Sequence, residues 1–307
     1  MRIIIAGGSG LIGKELTRDL LEDHHEVFIL SRSPERNTSM PSGVHTVHWD
    51  GKTSQGWSQY LEGADAVVNL AGANIAGQGF FPQRWTEERK RIIKQSRLDA
   101  GVAISEAIAA AAQKPQVLVQ SSAIGFYGPL VDQAVDETGS IGGDFMARLC
   151  QEWELSTAAV ELLGVRRLVV RSGIVLSNQG GALIRLLLPY KLYVGGPFGN
   201  GRQVMSWIHI ADEVAAIRFL IENPSTNGVY NLTAPNPVTN STMGRTVGKL
   251  LHRPHYLPIP AFAMKLLFGE VSTVVLDGQR VLPRRLLECG FKFRYPYIEE
   301  ALADILC

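Results

Sequence analysis

Seven residues into the chain, directly behind a short apolar run from Arg2 to Ala6, stands Gly7-Gly8-Ser9-Gly10-Leu11-Ile12-Gly13. Gly7 permits a tight turn, Gly10 lets backbone approach a ligand with no Cβ between, and Gly13 lets a helix pack closely on a strand. The helical pattern that follows at once aims unpaired N–H groups and the positive end of its dipole over the loop, so the preferred ligand is an anion. An anion site between a strand and a helix, at the start of a β-α-β pattern, reads as a dinucleotide pyrophosphate site. The second strand, Glu26 to Leu30, runs into Ser31-Arg32-Ser33. A site that selects a free ribose 2′-hydroxyl places Asp or Glu there. Arg32 instead offers a charge-assisted hydrogen bond to a 2′-phosphate and a flat group to stack on adenine, so the predicted cofactor is NADP(H), with Arg36 as a second cation.

A second residue with chemical potential is Arg97. On the helix predicted from about Glu87 to Ala112, Ile93, Arg97, Ile104 and Ile108 fall at spacings of four, seven and four, which puts the guanidinium on the face that meets the sheet. A buried guanidinium needs a partner, and the candidates are a cofactor pyrophosphate, a substrate carboxylate, a protein acid or the face of Trp85.

The elements that must position these groups are legible in outline. Strands rich in Val, Ile and Leu recur between helical stretches: Arg2 to Ala6, Glu26 to Leu30, Val44 to His48, Ala66 to Asn69, Gln116 to Gln120 and Arg167 to Arg171. Such alternation predicts an α/β fold with a Rossmann-type, doubly wound parallel sheet, and the continuous apolar runs fit strands buried on both faces. Beyond Arg171 the character changes to Gly-Gly pairs and recurrent prolines. Residues 1–175 are therefore expected to form the NADP-binding domain, with a return of the chain at about 203–232, and residues 176–307 a smaller C-terminal substrate lobe.

Composition excludes several classes. The chain has 307 residues, 46% hydrophobic and 19% charged, with a formal net charge of +1, which allows a large core but creates no field for nucleic acid. The basic run Arg89-Lys90-Arg91 follows Glu87-Glu88 and reads as a solvated helix face. Cys150, Cys289 and Cys307 are scattered, so neither a disulfide framework nor a metal-spaced pair is expected. His24-His25 and His45 with His48 lack companion ligands, and His209, between two isoleucines, reads as a hydrogen-bonded core residue. No run is long enough for a membrane span, and a cytoplasmic location is expected. The expected partner is a small-molecule substrate of unidentified kind, and the residues are compatible with a homo-oligomer.

The opening glycine motif, Asn69-Leu70-Ala71-Gly72, Arg84-Trp85, Ser96-Arg97, Ser121-Ser122-Ala123, Arg171-Ser172-Gly173, Gly195-Gly196-Pro197, Trp207-Ile208-His209-Ile210 and Pro283-Arg284-Arg285-Leu286 occur in an order that covers almost the whole chain. Together they resemble the epimerase-like branch of the atypical and extended short-chain dehydrogenases, some members of which carry the label of cell-division inhibitor. The resemblance implies NADP(H) contacts from Gly7, Ser9, Gly10, Leu11, Ile12, Gly13, Ser31, Arg32, Leu70, Ala71, Gly72, Arg97, Ser121 and Val175. The Gly173-Ile174-Val175 segment would set backbone against the nicotinamide.

Extended short-chain dehydrogenases use a Ser to hold the substrate oxygen, a Tyr as acid and base, a Lys one helical turn on that lowers the Tyr pKa, and an Asn from the preceding helix. Ser122 matches that serine, with Ser121 as the alternative register. Aligned on Glu154, the Tyr position holds Met146 and the Lys position Cys150, while Arg97 stands at the Asn position. Neither a thioether nor a neutral thiol shuttles a proton as that pair does. Tyr127, after the serine strand, is the other candidate for catalysis. Two expectations follow: an NADP(H)-dependent oxidoreductase or epimerase acting through Ser122 and Tyr127, or a non-catalytic NADPH-binding regulator, for example of cell or organelle division.

Overall fold

The structure is a computed structural model and describes residues 1–36, 40–77, 79, 81–130 and 133–307; the Arg36 side chain lies outside the described ones. Its centre is a parallel sheet of seven strands: β1 (Arg2–Ala6), β2 (Glu26–Ser31), β3 (His45–His48), β4 (Ala66–Asn69), β5 (Val117–Ala123), β6 (Arg166–Ser172) and β7 (Gly228–Leu232). They lie in the order β7-β6-β5-β4-β1-β2-β3. The order reverses between β1 and β4, and the crevice outside the carboxyl ends of those strands is where such sheets bind ligands.

The two-residue strand period sorts the core into layers. Ile3 and Ile5 of β1 pack with Leu16 and Leu20 of helix α1 (Leu11–Glu22), together with Ile217 and Leu220 further along the chain. Ile4 and Ala6, one residue out of phase, pack on the other side with Ala100, Ile104 and Ile108 of α2 (Glu87–Ala110). Helices on both faces explain why the strands read as unbroken apolar runs. Next along the chain come α3 (Phe145–Leu155), α4 (Ala182–Lys191), α5 (Ile210–Glu222), α6 (Asn240–Leu250) and α7 (Ala261–Phe268). Helix α5 carries Ile217 and Leu220 back to the α1 face, and β7 extends the sheet beside β6.

A separate apolar cluster forms around Leu183, Leu187 and Tyr190 of α4, Met243 and Val247 of α6, Trp207, and Ile298 and Leu302 of the C-terminal helix Ile298–Leu306. Phe268, the last residue of α7, and Val271 just past it lean across onto Trp85, Ile93 and Leu149. Among the described residues, no helix is long and apolar enough to cross a membrane.

Two elements differ from the sequence expectation in ways that matter below. β5 runs three residues beyond Gln120, so Ser121 and Ser122 lie inside the strand, opposite Val170 and Arg171 of β6, and not at its end. Consecutive strand residues face opposite sides, so the two serines cannot share a site. β7 was absent from the strands read from sequence, because Val229-Tyr230-Asn231-Leu232 is short, mixes polar with apolar residues and follows a glycine.

Candidate functional site

The glycine loop joins β1 to α1 as its residue types require. Gly7 has φ +78, and a Cβ there would sit 2.8 Å from the Leu70 carbonyl. At Gly13 a Cβ would lie 2.6 Å from both Gly7 O and Gly8 Cα, so only glycine lets the helix come this close. Gly10 is the N-cap of α1, with no side chain bonding the free N–H groups and no acid in the first turn. The helix end is thus open to an anion from outside.

A cleft runs over this loop in two connected cavities that share Gly7, Gly10 and Leu70. One, of about 590 Å³, is lined by Ser9, Ser31, Arg32, Ala71 and Gly72, and by Trp49 to Lys52 behind β3. The exposed Arg32 forms no ion pair among the described residues, and Gly51 packs under its stem, where a Cβ would lie 3.7 Å from Arg32 Cδ. The acids on this side are already engaged. Asp50 accepts from the N–H groups of Lys52 and Thr53 and from the Thr53 hydroxyl, and Asp99 accepts from Gln95. Neither acid pairs with the Arg32 guanidinium.

The other cavity, of about 480 Å³, is lined by Leu11, Ile12, Gly13, Ser121, Val175, Met146 and Ser172, with Met205, Val274 and Gln279 from the far wall. Thirteen of the fourteen residues expected to hold the cofactor line one cavity or the other; Arg97 does not. Beneath the Leu70 to Gly72 wall, a buried amide pair supports the turn. Asn69 Nδ2 donates to Gln120 Oε1 at 2.9 Å, while Asn69 Oδ1 accepts from Ala71 N.

The expected catalytic residues are placed elsewhere. Ser122 lines neither cavity: its hydroxyl donates to Glu154 Oε1 at 2.6 Å on the α3 side of the sheet. Glu154 also accepts a two-pronged ion pair from Arg171, Nε to Oε1 at 2.8 Å and Nη2 to Oε2 at 2.9 Å. Arg171 Nη1 donates to the Tyr127 hydroxyl at 3.1 Å, and that hydroxyl donates to Asn231 Oδ1 at 2.8 Å. Burial pushes the Tyr127 phenol above its ordinary pKa, the opposite of what an acid-base tyrosine needs. Ser122 and Tyr127 therefore belong to a closed polar network, and strand alternation leaves Ser121, not Ser122, on the cavity wall.

Arg97 is buried as its helix position predicts, but among the described residues no acid pairs with it. Nη1 donates to the carbonyls of Ala73 and Ile93, and the guanidinium lies 4.7 Å over the ring of Trp153, not Trp85. Burial brings its pKa down to about 10. Gly72 is bound to this arrangement, since a Cβ there would approach Arg97 Cζ to 3.0 Å. Met146 stands on the cavity wall at the tyrosine position, while Cys150 is sealed behind it with its thiol pushed up to about 12 by burial. His209 caps α5 through Nδ1, which accepts from Ala211 N, and burial lowers its pKa.

Sequence reading missed one pair. On β6 the hydroxyl of Ser172, a cavity residue, lies 2.5 Å from Oε1 of Glu213, a fully buried residue of α5. Burial pushes that carboxyl up to about 8. The only signal was an acid at the fourth position of a helix otherwise apolar on that side.

Residues 3–233 match the NAD dependent epimerase/dehydratase family. The chain belongs to that family. Residues 259–305 match a further domain described only as being of unknown function. The chain is 39% identical to the "Epimerase family protein SDR39U1 homolog, chloroplastic" of Arabidopsis thaliana, over 100% of this chain and 87% of that protein. It is 37% identical to the epimerase family protein YfhF of Bacillus subtilis, over 100% of this chain and 98% of that one. Among solved structures it is similar to human epimerase family protein SDR39U1 (isoform 2), crystallised with NADPH, with a TM-score of 0.88 and 33% identity over 100% of this chain and 99% of that one. The UDP-glucose 4-epimerase of Thermotoga maritima, at 14% identity and TM-score 0.80 over 100% and 97% of the two chains, shares the fold.

Proposed function

We propose that this chain is an NADP(H)-dependent oxidoreductase that reduces a small, mainly apolar carbonyl compound. The observation that carries the reading is the two-part cleft over an uncapped helix end, with Arg32 free at one end and an apolar chamber at the other. Gly10 and the first turn of α1 would hold the pyrophosphate, Arg32 the 2′-phosphate, and the Gly173 to Val175 edge the nicotinamide ring. When bound, NADPH supplies a hydride. The chain's own residues bind, orient and exclude water. Residues 1–175 with 203–232 would form the cofactor side and the remaining C-terminal residues the substrate side.

The chamber argues for the substrate class. Ile124, Pro129, Ile174, Met205, Val274 and Val275 line it, and the charged groups among its described lining residues are one cation, Arg185, and two acids, Asp144 and Asp277. A second nucleotide diphosphate would meet more negative charge than positive there. NADPH oxidation is therefore expected with apolar aldehydes, ketones or quinones and not with UDP-glucose. A panel of these compounds tests it, and consumption only with the sugar nucleotide would reverse the assignment.

A second reading, a non-catalytic NADPH-binding regulator, draws on one observation. No Tyr, Lys, His or Cys among the described residues lines the chamber. It predicts no turnover across the whole panel.

A further inference from the structure

Among the described residues no tyrosine or lysine lines the chamber to supply a proton, yet one hydroxyl on its wall is backed by a carboxyl. Ser172 stands at the end of β6, beside Gly173 and Val175, and opposite Ala123 in the strand register. Behind it, Glu213 is 0% exposed; Oε1 lies 2.5 Å from Ser172 Oγ and Oε2 has no hydrogen-bond partner among the described residues. We infer that Ser172 and Glu213 form the proton-handling pair of this cleft, Ser172 as the catalytic hydroxyl that meets the substrate oxygen and Glu213 as the positioning acid that reloads it. The inference rests on the reductase reading above.

Among the described residues, no charged group faces Glu213. On its own helix, Asp212 is taken up by the N–H groups of Arg294 and Tyr295, and Arg218 by Asp19 and Asp23, from α1 and its end, and by Glu222. On β6, Arg171 is held by Glu154, and Arg166 donates to the carbonyls of Leu220 and Ile221. His209, on the strand before α5, is spent capping that helix, with Asp304 at 3.3 Å. An isolated carboxyl in such a place stays protonated at neutral pH, consistent with a value near 8. In that form Glu213 donates to Ser172 Oγ, which frees the serine hydrogen to point into the chamber.

The step balances. As the carbonyl carbon takes the hydride, its oxygen takes the Ser172 hydroxyl proton, and Ser172 regains one from Glu213. The Glu213 carboxylate recovers a proton from water once the alcohol leaves. Carbonyl compound, NADPH and one proton become alcohol and NADP⁺.

Cofactor binding tests the placement without turnover. The oxidised nicotinamide ring is cationic and the reduced ring neutral, so a carboxyl one hydroxyl behind the cleft wall would lose its proton more readily with NADP⁺ bound than with NADPH. Calorimetric titrations of both cofactors from pH 6.5 to 9 should show NADP⁺ gaining on NADPH by roughly threefold to tenfold in relative affinity as Glu213 ionises. Glu213→Gln, which keeps the shape and a hydrogen bond to Ser172, should give a flat ratio. In turnover on any carbonyl of the panel, Ser172→Ala should lower kcat by one to three powers of ten at unchanged NADPH affinity. If Glu213→Gln fails to fold, the carboxyl infrared band of wild type still decides: a protonated carboxyl at pH 7 that responds to NADP⁺ supports the pair. A ratio equally pH-dependent in wild type and Glu213→Gln, or full turnover in Ser172→Ala, overturns the pair and leaves the reductase reading standing. No turnover with any carbonyl overturns the reductase reading and the proton step with it.

Discussion

Glu154, half-buried, and Glu213, fully buried, are two glutamates near the carboxyl end of the same sheet, and they differ in almost everything else. Glu154 meets an arginine and a serine and closes a network that reaches from α3 through Arg171 and Tyr127 to Asn231 on β7. Among the described residues Glu213 meets only the hydroxyl of a serine, and that serine opens onto the cleft. A paired, charged carboxylate is an architectural part, fixed by the cost of breaking it. An unpaired, neutral one is available for proton transfer. The serines repeat the lesson, since Ser122 serves the closed network while its strand neighbour Ser121 faces the cleft.

The comparison can be broken at several points. Glu154→Ala strands the Arg171 guanidinium, whose side chain is only 5% exposed, and should cost about 3–5 kcal/mol in denaturant unfolding while the folded protein keeps its NADPH affinity. An unchanged midpoint would show that the pair carries no structural weight. Glu213 should behave in the opposite sense. Its folded pKa, about 8, lies above the 4.5 of the unfolded chain, so between those values the unfolded state binds fewer protons than the folded one. Wild-type stability then falls by up to about 1.4 kcal/mol per pH unit as pH rises through that window, with no difference below it. Relative to Glu213→Gln, thermal melts from pH 4 to 9 should show that widening gap; parallel curves would mean the carboxyl is already ionised when folded.

Smaller effects are expected from the hydroxyls of the network. Tyr127→Phe leaves Asn231 Oδ1 and one Arg171 N–H without this partner, for about 1–3 kcal/mol. Ser122→Ala removes one bond from a carboxylate that Arg171 still satisfies, for about 0.5–1.5 kcal/mol. Neither should alter NADPH affinity. A loss of binding in either, with stability kept, would return them to the cleft and undo the contrast.

How much of this was written in the sequence follows from the range of the interactions. The glycine loop, the helix behind it and the place of Arg32 depend on contacts within a few residues or on a strand end, and their geometry is readable from local spacing. The parallel sheet was readable for the same reason, from apolar runs between helical patterns. Ser122 was misplaced because the role depended on where β5 stops: three more strand residues turn its side chain to the opposite face. Arg97 was rightly judged buried from its period, but its partners are backbone carbonyls and Trp153, which no side-chain pattern encodes. The Ser172–Glu213 contact joins β6 to α5 across 41 positions and leaves no local mark.

The central claim is that this cleft is built for a 2′-phosphorylated dinucleotide through Arg32. Calorimetric titration of NADPH and NADH, on wild type and on Arg32→Ala, tests it most directly. Hydrogen bonds to charged groups contribute about 1.5–3 kcal/mol, so wild type should prefer NADPH, and Arg32→Ala should lose roughly tenfold to hundredfold in NADPH affinity with little change for NADH. Equal affinities for the two cofactors in wild type would contradict the account.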